Sequence, residues 1–515
     1  MNSIKISEKT DNPSLNIALD TIKIGKQALV FVGTKRGAEK NAEEIAKRLK
    51  STDVELENLS LDVLHLPKAT KQCNRLSKCI KKGVAFHHAG LTSKQKEIIE
   101  TNFKKGHVKI ISCTPTLAWG VNLPAYRVIM RDLKRYGQHG LNFIPVLEAH
   151  QMFGRAGRPG YDTRGEAICI AATESDRDEI YNRYITGEAE DIHSKLAVEP
   201  ALRTYLLSLI ASDFVSSKEQ IIDFFSKTFW AHQFEEMDKI EGMIERMLTM
   251  LEDWEFIKSG KTDDFQSADE IGNEKYKATL IGKRVSELYI DPLTANFIID
   301  CLKKGGKISE LSFLQMLSHT LEMRPTLRVK VKEYDKVQEA LLQYGDSLLE
   351  KEPVMYDPDY EDFLSSVKTA LMFKDWINEK DEEYLLEEYS VRPGELRVKL
   401  GIGDWLLYFC DEMSRMLALK NLGTELKKLR VRFKHGVREE LIPLLKFRGV
   451  GRARGRKLFF NGIKDVSDVK KADISKLKQI LGGKTAVDVK KQVGQEFKEV
   501  KVSRRKGQVS LKKFN

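Results

Sequence analysis

Long apolar runs are missing from this chain of 515 residues. Without a stretch of about 18 apolar residues, the sequence has no candidate membrane-spanning helix. The N-terminal segment Met1-Asn-Ser-Ile-Lys-Ile-Ser also lacks the apolar core of a signal peptide. We therefore expect a cytoplasmic protein with no membrane partner.

Cysteines are few, and none form the close pairs of a metal motif. The six are Cys73, Cys79, Cys113, Cys169, Cys301 and Cys410. This spacing argues against a zinc site and against a disulfide framework. We expect reduced thiols and no bound metal.

Positive charge is concentrated at the C-terminal end. Residues 421–515 hold 27 Lys or Arg and 9 Asp or Glu, a net charge of +18, whereas the rest of the chain holds 59 and 66, a net charge of −7. A basic segment of this kind suits a polyanion, most simply nucleic acid, although a solubilising tail has the same composition.

The length allows roughly three to five domains. Over residues 1–185, short apolar runs typical of buried parallel strands alternate with helical patterns such as residues 37–50, which predicts a doubly wound α/β domain. The predicted strands are residues 28–32, 84–88, 108–112, 127–130 and 166–171.

The remaining sequence has a mainly helical pattern. Amphipathic helices followed by two short strands, near residues 256–258 and 276–280, predict a winged helix. The predicted divisions are a winged-helix domain at 186–290, a helical domain at 291–430, short helices around glycine turns at 431–500 and a basic tail at 501–515.

The segment Gln151-Met-Phe-Gly-Arg-Ala-Gly-Arg-Pro-Gly carries the clearest chemistry. Its glycines permit close backbone approach to a ligand, and the guanidinium groups of Arg155 and Arg158 match phosphate oxygens. Two further polar segments follow predicted strands, at the sheet edge where open α/β sheets bind ligands. They are Phe31-Val-Gly-Thr-Lys-Arg and Ser112-Cys-Thr-Pro-Thr-Leu-Ala-Trp-Gly-Val-Asn.

In chain order, these segments resemble motifs IV, V and VI of superfamily 2 helicases, with Phe86-His-His-Ala-Gly-Leu similar to the stretch between the first two. The resemblance implies a RecA-like motor domain in which Arg155, Arg158 and Gln151 act on ATP bound to a neighbouring domain. It implies nucleotide contacts for Gly120 and Asn122, and DNA contacts for Thr34, Lys35, Arg36, Thr114 and Thr116. His87 and His88 are better explained by packing or hydrogen bonding than by metal ligation.

The similarity extends over residues 25–500 to one family, the archaeal Hjm-type helicases of the Ski-like group, which are related to the polymerase-theta helicase domain. This family carries a winged helix, a ratchet helix and a helix-hairpin-helix module after the motor domain. The residues that support the resemblance are Ser194-Lys-Leu-Ala-Val-Glu-Pro-Ala-Leu-Arg, Gly282-Lys-Arg-Val-Ser-Glu-Leu-Tyr-Ile-Asp-Pro-Leu-Thr-Ala, Pro393-Gly-Glu-Leu-Arg and Asp404-Trp-Leu-Leu-Tyr.

Residues 131–145 predict a β-hairpin with Tyr136 and Phe143 on either side of a glycine-containing turn. In the resembling family a hairpin at this place separates the first base pair, and an aromatic residue at its tip would stack on a base. An ordinary surface hairpin is the alternative.

The predicted ratchet helix offers an indole and nearby cations to a single strand. Trp405 suits base stacking, and Arg397 or Lys399 suits a phosphate. The family's basic position falls on Val398 here, so either flanking cation fits. A core role for Trp405 is the alternative.

Gly449-Val-Gly opens a predicted helix within the most basic stretch of the chain. Backbone N–H groups at such a turn face a phosphate without interference from side chains. The stretch resembles a helix-hairpin-helix module, which binds DNA independently of sequence, with an exposed basic helix as the alternative. The candidate DNA-binding residues are Arg448, Gly449, Gly451, Arg452 and Arg454.

A Walker A loop is not present in the sequence. Gly483-Lys-Thr resembles its end, but Lys478 stands where the loop needs its first glycine, and a helix is predicted before it. We therefore expect the lysine and the Mg²⁺ ligands that hold ATP to belong to a first motor domain outside this chain. The alternatives for that domain are a separate gene, loss of the domain, or its removal by a truncated gene model. The chain alone is then expected to be inactive.

The resemblance implies that this is the C-terminal part of an ATP-dependent 3′–5′ DNA helicase that acts on forks and branched DNA in repair or replication restart. Single-stranded and branched DNA are the expected partners, and RNA is the less favoured substrate. A sliding clamp is a further candidate partner, through Gln508, Leu511 and Phe514 of the tail. The alternative function is that of a non-catalytic remnant that binds forks or single strands.

Overall fold

A computed structural model describes residues 5–50, 53–66, 70–137, 140–158, 160, 162–234, 237–260, 275–305, 309–419 and 422–495. The contacts divide the chain into two compact units. Unit 1 contains residues 1–297 and 381–402, and unit 2 contains residues 298–380 and 403–515. The finer division into five domains stays a prediction. Within the described ranges, no helix is long and apolar enough to cross a membrane.

Strands and helices alternate through the first part of unit 1. In chain order they are α1 (Pro13–Lys23), β1 (Ala28–Phe31), α2 (Lys35–Lys47), α3 (Val54–Leu64), α4 (Lys71–Ile80), β2 (Val84–His87), α5 (Ser93–Lys104), β3 (Ile110–Cys113), α6 (Thr116–Gly120), β4 (Arg127–Met130), β5 (Lys134–Gly137), β6 (Gly140–Phe143), α7 (Val146–Phe153), β7 (Glu166–Cys169) and α8 (Glu174–Tyr184).

Five of these strands form one sheet in the order β2-β3-β1-β4-β7, and every neighbouring pair is parallel. Every residue of β1, β2, β3 and β4 is buried. Strands buried in this way have near-continuous apolar sequences, which is the signal that predicted them. The doubly wound α/β prediction is confirmed, and the strand ends lie within two residues of the predicted ends.

The predicted hairpin and the predicted wing are both present. β5 and β6 pair antiparallel after β4. Further along unit 1, two short strands also pair antiparallel, at Ile257–Gly260 and Lys275–Ala278, after a run of helices. This arrangement of helices followed by a ribbon agrees with the predicted winged helix.

The elements after α8 are mainly helices. They are α9 (Glu199–Ala211), α10 (Lys218–Ser226), α11 (Phe229–Phe234), α12 (Met237–Asp253), β8 (Ile257–Gly260), β9 (Lys275–Ala278), α13 (Leu280–Glu287), α14 (Pro292–Lys304), α15 (Glu310–His319), α16 (Tyr334–Tyr344), α17 (Tyr360–Ile377), α18 (Glu382–Tyr389), α19 (Pro393–Met416), α20 (Leu422–His435), α21 (Arg452–Phe460), α22 (Val466–Lys471), α23 (Ile474–Leu481) and α24 (Gly483–Gln492).

Unit 2 is built from helices around apolar clusters. α15 packs along α17, and residues of α16 and α17 share one small core that includes Val337, Phe363 and Val367. The last helices of the unit, α21 to α24, enclose a separate core with Leu458 and Leu477 at its centre. The helical prediction for this part of the chain is confirmed.

Unit 1 is completed by a late segment of the chain, residues 381–402. The start of α19 approaches the loop after β2 backbone to backbone, since the Gly394 N–H donates to the Gly90 carbonyl at 3.1 Å. A Cβ at Gly394 would lie 2.4 Å from the Ala89 carbonyl oxygen and 2.6 Å from that of Leu91. This contact therefore depends on the absence of a side chain.

Substitution of Gly394 by alanine should disrupt this docking, because the added methyl group meets rigid backbone. We expect G394A to lower the free energy of unfolding by roughly 1–3 kcal/mol, the usual cost of overpacking. Gly401 lies on the same helix with open space around its Cβ position, so G401A should instead stabilise by about 0.5–1 kcal/mol. Thermal unfolding of both variants measures the difference, and equal effects would contradict the close approach.

Candidate nucleic-acid and nucleotide sites

The carboxyl ends of the central strands open into a cleft of about 970 Å³ in unit 1, here called the edge cleft. Its walls come from the segments after β1, β3 and β4 and from residues 386–395. Five predicted DNA-binding residues line it together: Thr34, Lys35, Arg36, Thr114 and Thr116. The structure thus brings the candidate motifs IV and V into one cavity, although their roles stay predictions.

The threonine hydroxyls of the edge cleft are held in place by local hydrogen bonds. Thr34 caps α2, where its side-chain oxygen accepts the Gly37 N–H at 3.0 Å. The hydroxyls of Thr114 and Thr116 are 2.9 Å apart and form one hydrogen bond, in which either of them can be the donor. Each pair leaves hydroxyl capacity for a phosphate oxygen, which is the contact expected of these residues.

Most cations of the edge cleft already have carboxylate partners. Lys35 pairs with Glu395, and Arg135 pairs with Glu148 at 2.8 Å. Arg36 is exposed and has no ion-pair partner within the described residues. Lys134 likewise has no ion pair there, and its ammonium lies 4.2 Å from the Phe143 ring centroid.

A buried carboxylate beneath the cleft, Glu39, joins three elements of unit 1. It accepts from Arg75 of α4 and from Arg392, whose Nε lies 3.0 Å from Glu39 Oε1. His88 Nε2 is 3.1 Å from the same oxygen. Because the Gly90 N–H donates to His88 Nδ1, the imidazole proton sits on Nε2 and is donated to Glu39. The prediction that His88 is a hydrogen-bonding residue is confirmed, and His87 likewise contacts Glu100 at 2.8 Å.

Burial by itself would raise the pKa of Glu39, but the hydrogen bonds from His88 and Arg392 and the positive charges of Arg392 and Arg75 outweigh it and hold the pKa at about 2. Burial is also the main cause that lowers the pKa of His88 below its ordinary value. The stable state of the cluster is therefore a carboxylate beside a neutral imidazole and two guanidinium groups.

In the hairpin, the two predicted aromatic residues occupy different positions. Tyr136 pairs with Leu141 next to the turn, and its side chain lies outside the described residues. Phe143 pairs with Lys134 at the base, and its ring packs edge-on against Tyr184 at a centroid distance of 6.3 Å. Phe143 therefore lies away from the tip, and its contact with DNA and base stacking by Tyr136 both stay predictions.

The two arginines of the glycine-rich segment have different surroundings. Arg158 donates from Nε to Asp162 at 2.6 Å and from Nη1 to Gln27 at 2.6 Å. Lys26 also pairs with Asp162, at 2.7 Å. These hydrogen bonds, chiefly the one from Arg158, lower the pKa of Asp162 to about 2. Arg158 is thus held in the loop by an ionised carboxylate.

Arg155 has fewer partners. Its Nη2 donates to the Ala118 carbonyl of α6, whereas its Nε is buried without a hydrogen-bond partner in the described structure. Gln151 is exposed at the end of α7. Because the Nε–H of Arg155 has no acceptor in the described structure, it can donate a hydrogen bond to a phosphate oxygen. This agrees with the phosphate contact expected of Arg155.

The segment after α6 leads directly to these arginines. Gly120 ends α6 and Asn122 follows it, both exposed. Ala125 then forms a parallel bridge with Ala156, and its N–H donates to the Arg155 carbonyl at 2.9 Å. The segment that follows the predicted nucleotide-binding residues Gly120 and Asn122 is therefore joined to the arginine loop through the backbone of Ala125.

The candidate ratchet residues all lie on α19. Arg397 is exposed, whereas Lys399 is half-buried, and burial lowers the pKa of its ammonium. The more accessible cation for a phosphate is therefore Arg397. Trp405 is half-buried.

In the C-terminal part of unit 2, Gly451 caps α21 and Gly449 has a φ of +84°, a conformation that favours glycine. Arg448 is exposed. Arg452 donates to the Lys380 carbonyl at 3.0 Å, and Arg454 folds back onto the Gly449 carbonyl at 2.8 Å. The predicted glycine turn before a basic helix is present, with two of its arginines partly engaged.

A second glycine turn was missed by the sequence analysis. Gly482, with a φ of +84°, precedes α24, and a Cβ at Gly449 would lie 3.6 Å from Thr485 of that helix. Because α23 precedes Gly483, the rejection of a Walker A loop there is confirmed. The repeated pattern of an apolar residue before closely spaced glycines, in Phe447–Gly451 and Leu481–Gly483, was the available signal. The clamp residues Gln508, Leu511 and Phe514 lie outside the described residues.

Acid should weaken the Glu39 cluster. The folded-state pKa of Glu39 is below its ordinary 4.5, so its stabilisation is present above pH 4.5 and is lost as the pH falls towards 2. The lowered pKa of His88 acts in the same direction, below pH 6.5. We expect E39Q to lower the free energy of unfolding by about 3 kcal/mol at neutral pH, since it leaves buried arginines without their carboxylate.

Thermal unfolding between pH 7 and pH 3 measures this effect, and the difference between E39Q and the wild type should shrink with acid. E57Q is the matched control, because Glu57 pairs with Lys81 at 2.8 Å on the surface. It should unfold like the wild type at pH 7. A pH-independent cost of E39Q would contradict the assigned ionisation.

Three protein families match successive parts of the chain. Residues 13–160 match the helicase conserved C-terminal domain, residues 165–258 match a helix-turn-helix domain, and residues 311–436 match domain 4 of archaeal helicases. These matches agree with the α/β fold and with the winged helix predicted after it.

Whole-chain similarity is found to proteins named ATP-dependent DNA helicase Hel308. The Methanococcus vannielii protein is 35% identical, over 96% of this chain and 69% of its own length. Those of Pyrococcus horikoshii and Pyrococcus abyssi are each 37% identical, over 95% and 97% of this chain and 67% and 68% of their own lengths. The chain thus spans about two thirds of each relative, and the predicted membership of an archaeal superfamily 2 helicase family is confirmed. The chain belongs to the Hel308 family of ATP-dependent DNA helicases.

Proposed function

We propose that this chain supplies the second motor domain and the DNA-guiding domains of an ATP-dependent DNA helicase that moves 3′ to 5′ on forks and branched DNA. The observation that carries the proposal is the edge cleft, where the candidate motif IV and motif V residues meet at one end of the sheet. Hydroxyls and cations in such a cleft bind the backbone of a strand and carry no base preference.

The proposed contact with ATP is made by the candidate motif VI, residues 151–160. Arg155 offers an unpartnered buried Nε, and guanidinium donors aimed at a phosphoryl group stabilise the charge that develops during its transfer. Gln151 precedes Arg155 by four residues, and the segment that follows Gly120 and Asn122 is bonded to the arginine loop at Ala125. Walker residues and the ligands of Mg²⁺ are not supplied by these elements, so the proposal assigns them to a first motor domain acting in trans or in a longer polypeptide.

ATP hydrolysis tests this proposal directly. The chain is mixed with a separately produced Walker-containing motor domain, with and without branched DNA. We expect DNA-stimulated hydrolysis in the mixture, and R155A should reduce its rate by roughly 10³-fold, as expected for the loss of an arginine finger.

R164A is the matched control, because Arg164 is an exposed arginine shortly after the same loop. Its hydrolysis rate should equal that of the wild type. One observation favours the non-catalytic alternative, since Arg158 is already held by Asp162 and Gln27. Absence of stimulation in every combination, with DNA binding intact, would establish that alternative.

Binding of single-stranded DNA should depend strongly on salt, because cations that contact phosphates release counterions. We expect the triple variant R448Q/R454Q/K457Q, which neutralises exposed cations of the α21 region, to reduce the slope of log K against log salt by about 2, at about 0.7 per lost contact. Fluorescence anisotropy of a labelled oligonucleotide measures the slope.

The control neutralises three exposed cations at the far end of α2, as K47Q/R48Q/K50Q. α2 starts at the carboxyl end of β1 and runs back across the sheet, so this end lies away from the edge cleft. The control should keep the wild-type slope. Equal slopes for all three proteins would remove the α21 region from the DNA-binding surface.

A further inference from the structure

An exposed tryptophan in the edge cleft has no role in the sites described so far. Trp119 lies near the end of α6 with 59% of its surface exposed, and it lines the cleft with Thr116 and Arg36. The described structure shows no ring contact and no hydrogen bond for its indole. A large aromatic ring left exposed beside threonine hydroxyls and cations suits a ligand with both a flat apolar face and anionic groups.

The charges of the edge cleft restrict the chemical class of its ligand. Lys35, Arg135 and Arg392 are each paired with a carboxylate, which leaves Arg36 and Lys134 as the cations without ion pairs in the described part of the cleft. Two cations beside threonine hydroxyls suit a short stretch of phosphate backbone. With so few available charges, much of the binding energy in this cleft must come from contacts other than phosphate pairing.

The platform that carries Trp119 is rigid. Leu117 and Ala118 of α6 are buried, with 2% and 0% of their surfaces exposed. Arg155 adds a hydrogen bond to the Ala118 carbonyl, one residue before the indole. A ring presented from a fixed support loses little conformational entropy when a base stacks on it.

We propose that Trp119 is a base-stacking residue of the edge cleft, which holds one base of a single strand while Arg36, Lys134 and the threonines hold its phosphates. The proposal rests on the proposed function, since it names a contact within the same DNA path. Stacking of this kind tolerates any base, because every base has an aromatic face.

The test is binding of a labelled oligothymidine to the full chain by fluorescence anisotropy. W119A should raise Kd about tenfold, the usual effect of removing a stacking residue, and should leave the salt slope unchanged because stacking releases no counterions. W119F should bind within about threefold of the wild type, since phenylalanine keeps an aromatic face. R36Q should show the converse, a smaller salt slope.

Tyr205 is the matched control, because it has the same exposure of 59% on α9 and does not line the cleft. Y205A should bind like the wild type. Circular dichroism of W119A tests whether its fold is intact. If W119A does not fold, W119F replaces it in a second measurement, the quenching of tryptophan fluorescence by DNA. This quenching should be smaller in W119F than in the wild type.

Failure of this inference is distinct from failure of the proposed function. If the wild-type chain does not bind single-stranded DNA, the proposed function itself is wrong. If the wild type binds and W119A binds equally tightly, Trp119 is no stacking residue, and its exposed ring instead fits a surface covered by another protein domain.

Discussion

The parallel direction of all five strands is the constraint on which the site depends. The carboxyl ends of parallel strands lie at the same edge of a sheet. Segments that follow different strands therefore meet there, even when they are distant in sequence and make no contact with each other. Thr34 follows β1 and Thr114 follows β3, and the hairpin begins just after β4. One geometric rule therefore assembles the hydroxyls, the cations and Trp119 into a single cleft. A change of sheet order would scatter them.

Carboxylates in and around the edge cleft determine how many of its cations are available to bind a phosphate. Glu39 holds two arginines beneath the cleft, and Glu395 holds Lys35 at its rim. A cation already paired with a carboxylate gives little to a phosphate unless the pair is broken, and breaking it costs part of the gain. The cleft is thus less positive than its composition indicates. Strong non-specific attraction belongs instead to the basic C-terminal region, which carries a net charge of +18.

Local sequence patterns were sufficient to predict strands and turns, but they did not predict which side chains contact each other. The buried strands were predicted because each is a short apolar run, and the glycine turn at Gly449 because a glycine pair opens a basic helix. The packing of the Phe143 ring against Tyr184 has no such signal, since it depends on the path of α8. The contact between Glu39 and Arg392 joins residues 353 positions apart, and a single sequence gives no periodicity or spacing for it. Trp119 was recognised as part of a motif, yet its exposure depends on how α6 is anchored.

The discontinuity of unit 1 has a consequence for the time course of synthesis. The sheet is complete once residue 169 has left the ribosome, and Arg392 follows 223 residues later. At about 5–20 residues per second, that interval lasts roughly 10–45 s. During it Glu39 has His88 and Arg75 but lacks Arg392, and residues 386–395 are missing from the wall of the edge cleft. A nascent chain that has emerged only as far as residue 380 therefore carries all five strands of the sheet but lacks the segment that forms this wall of the cleft.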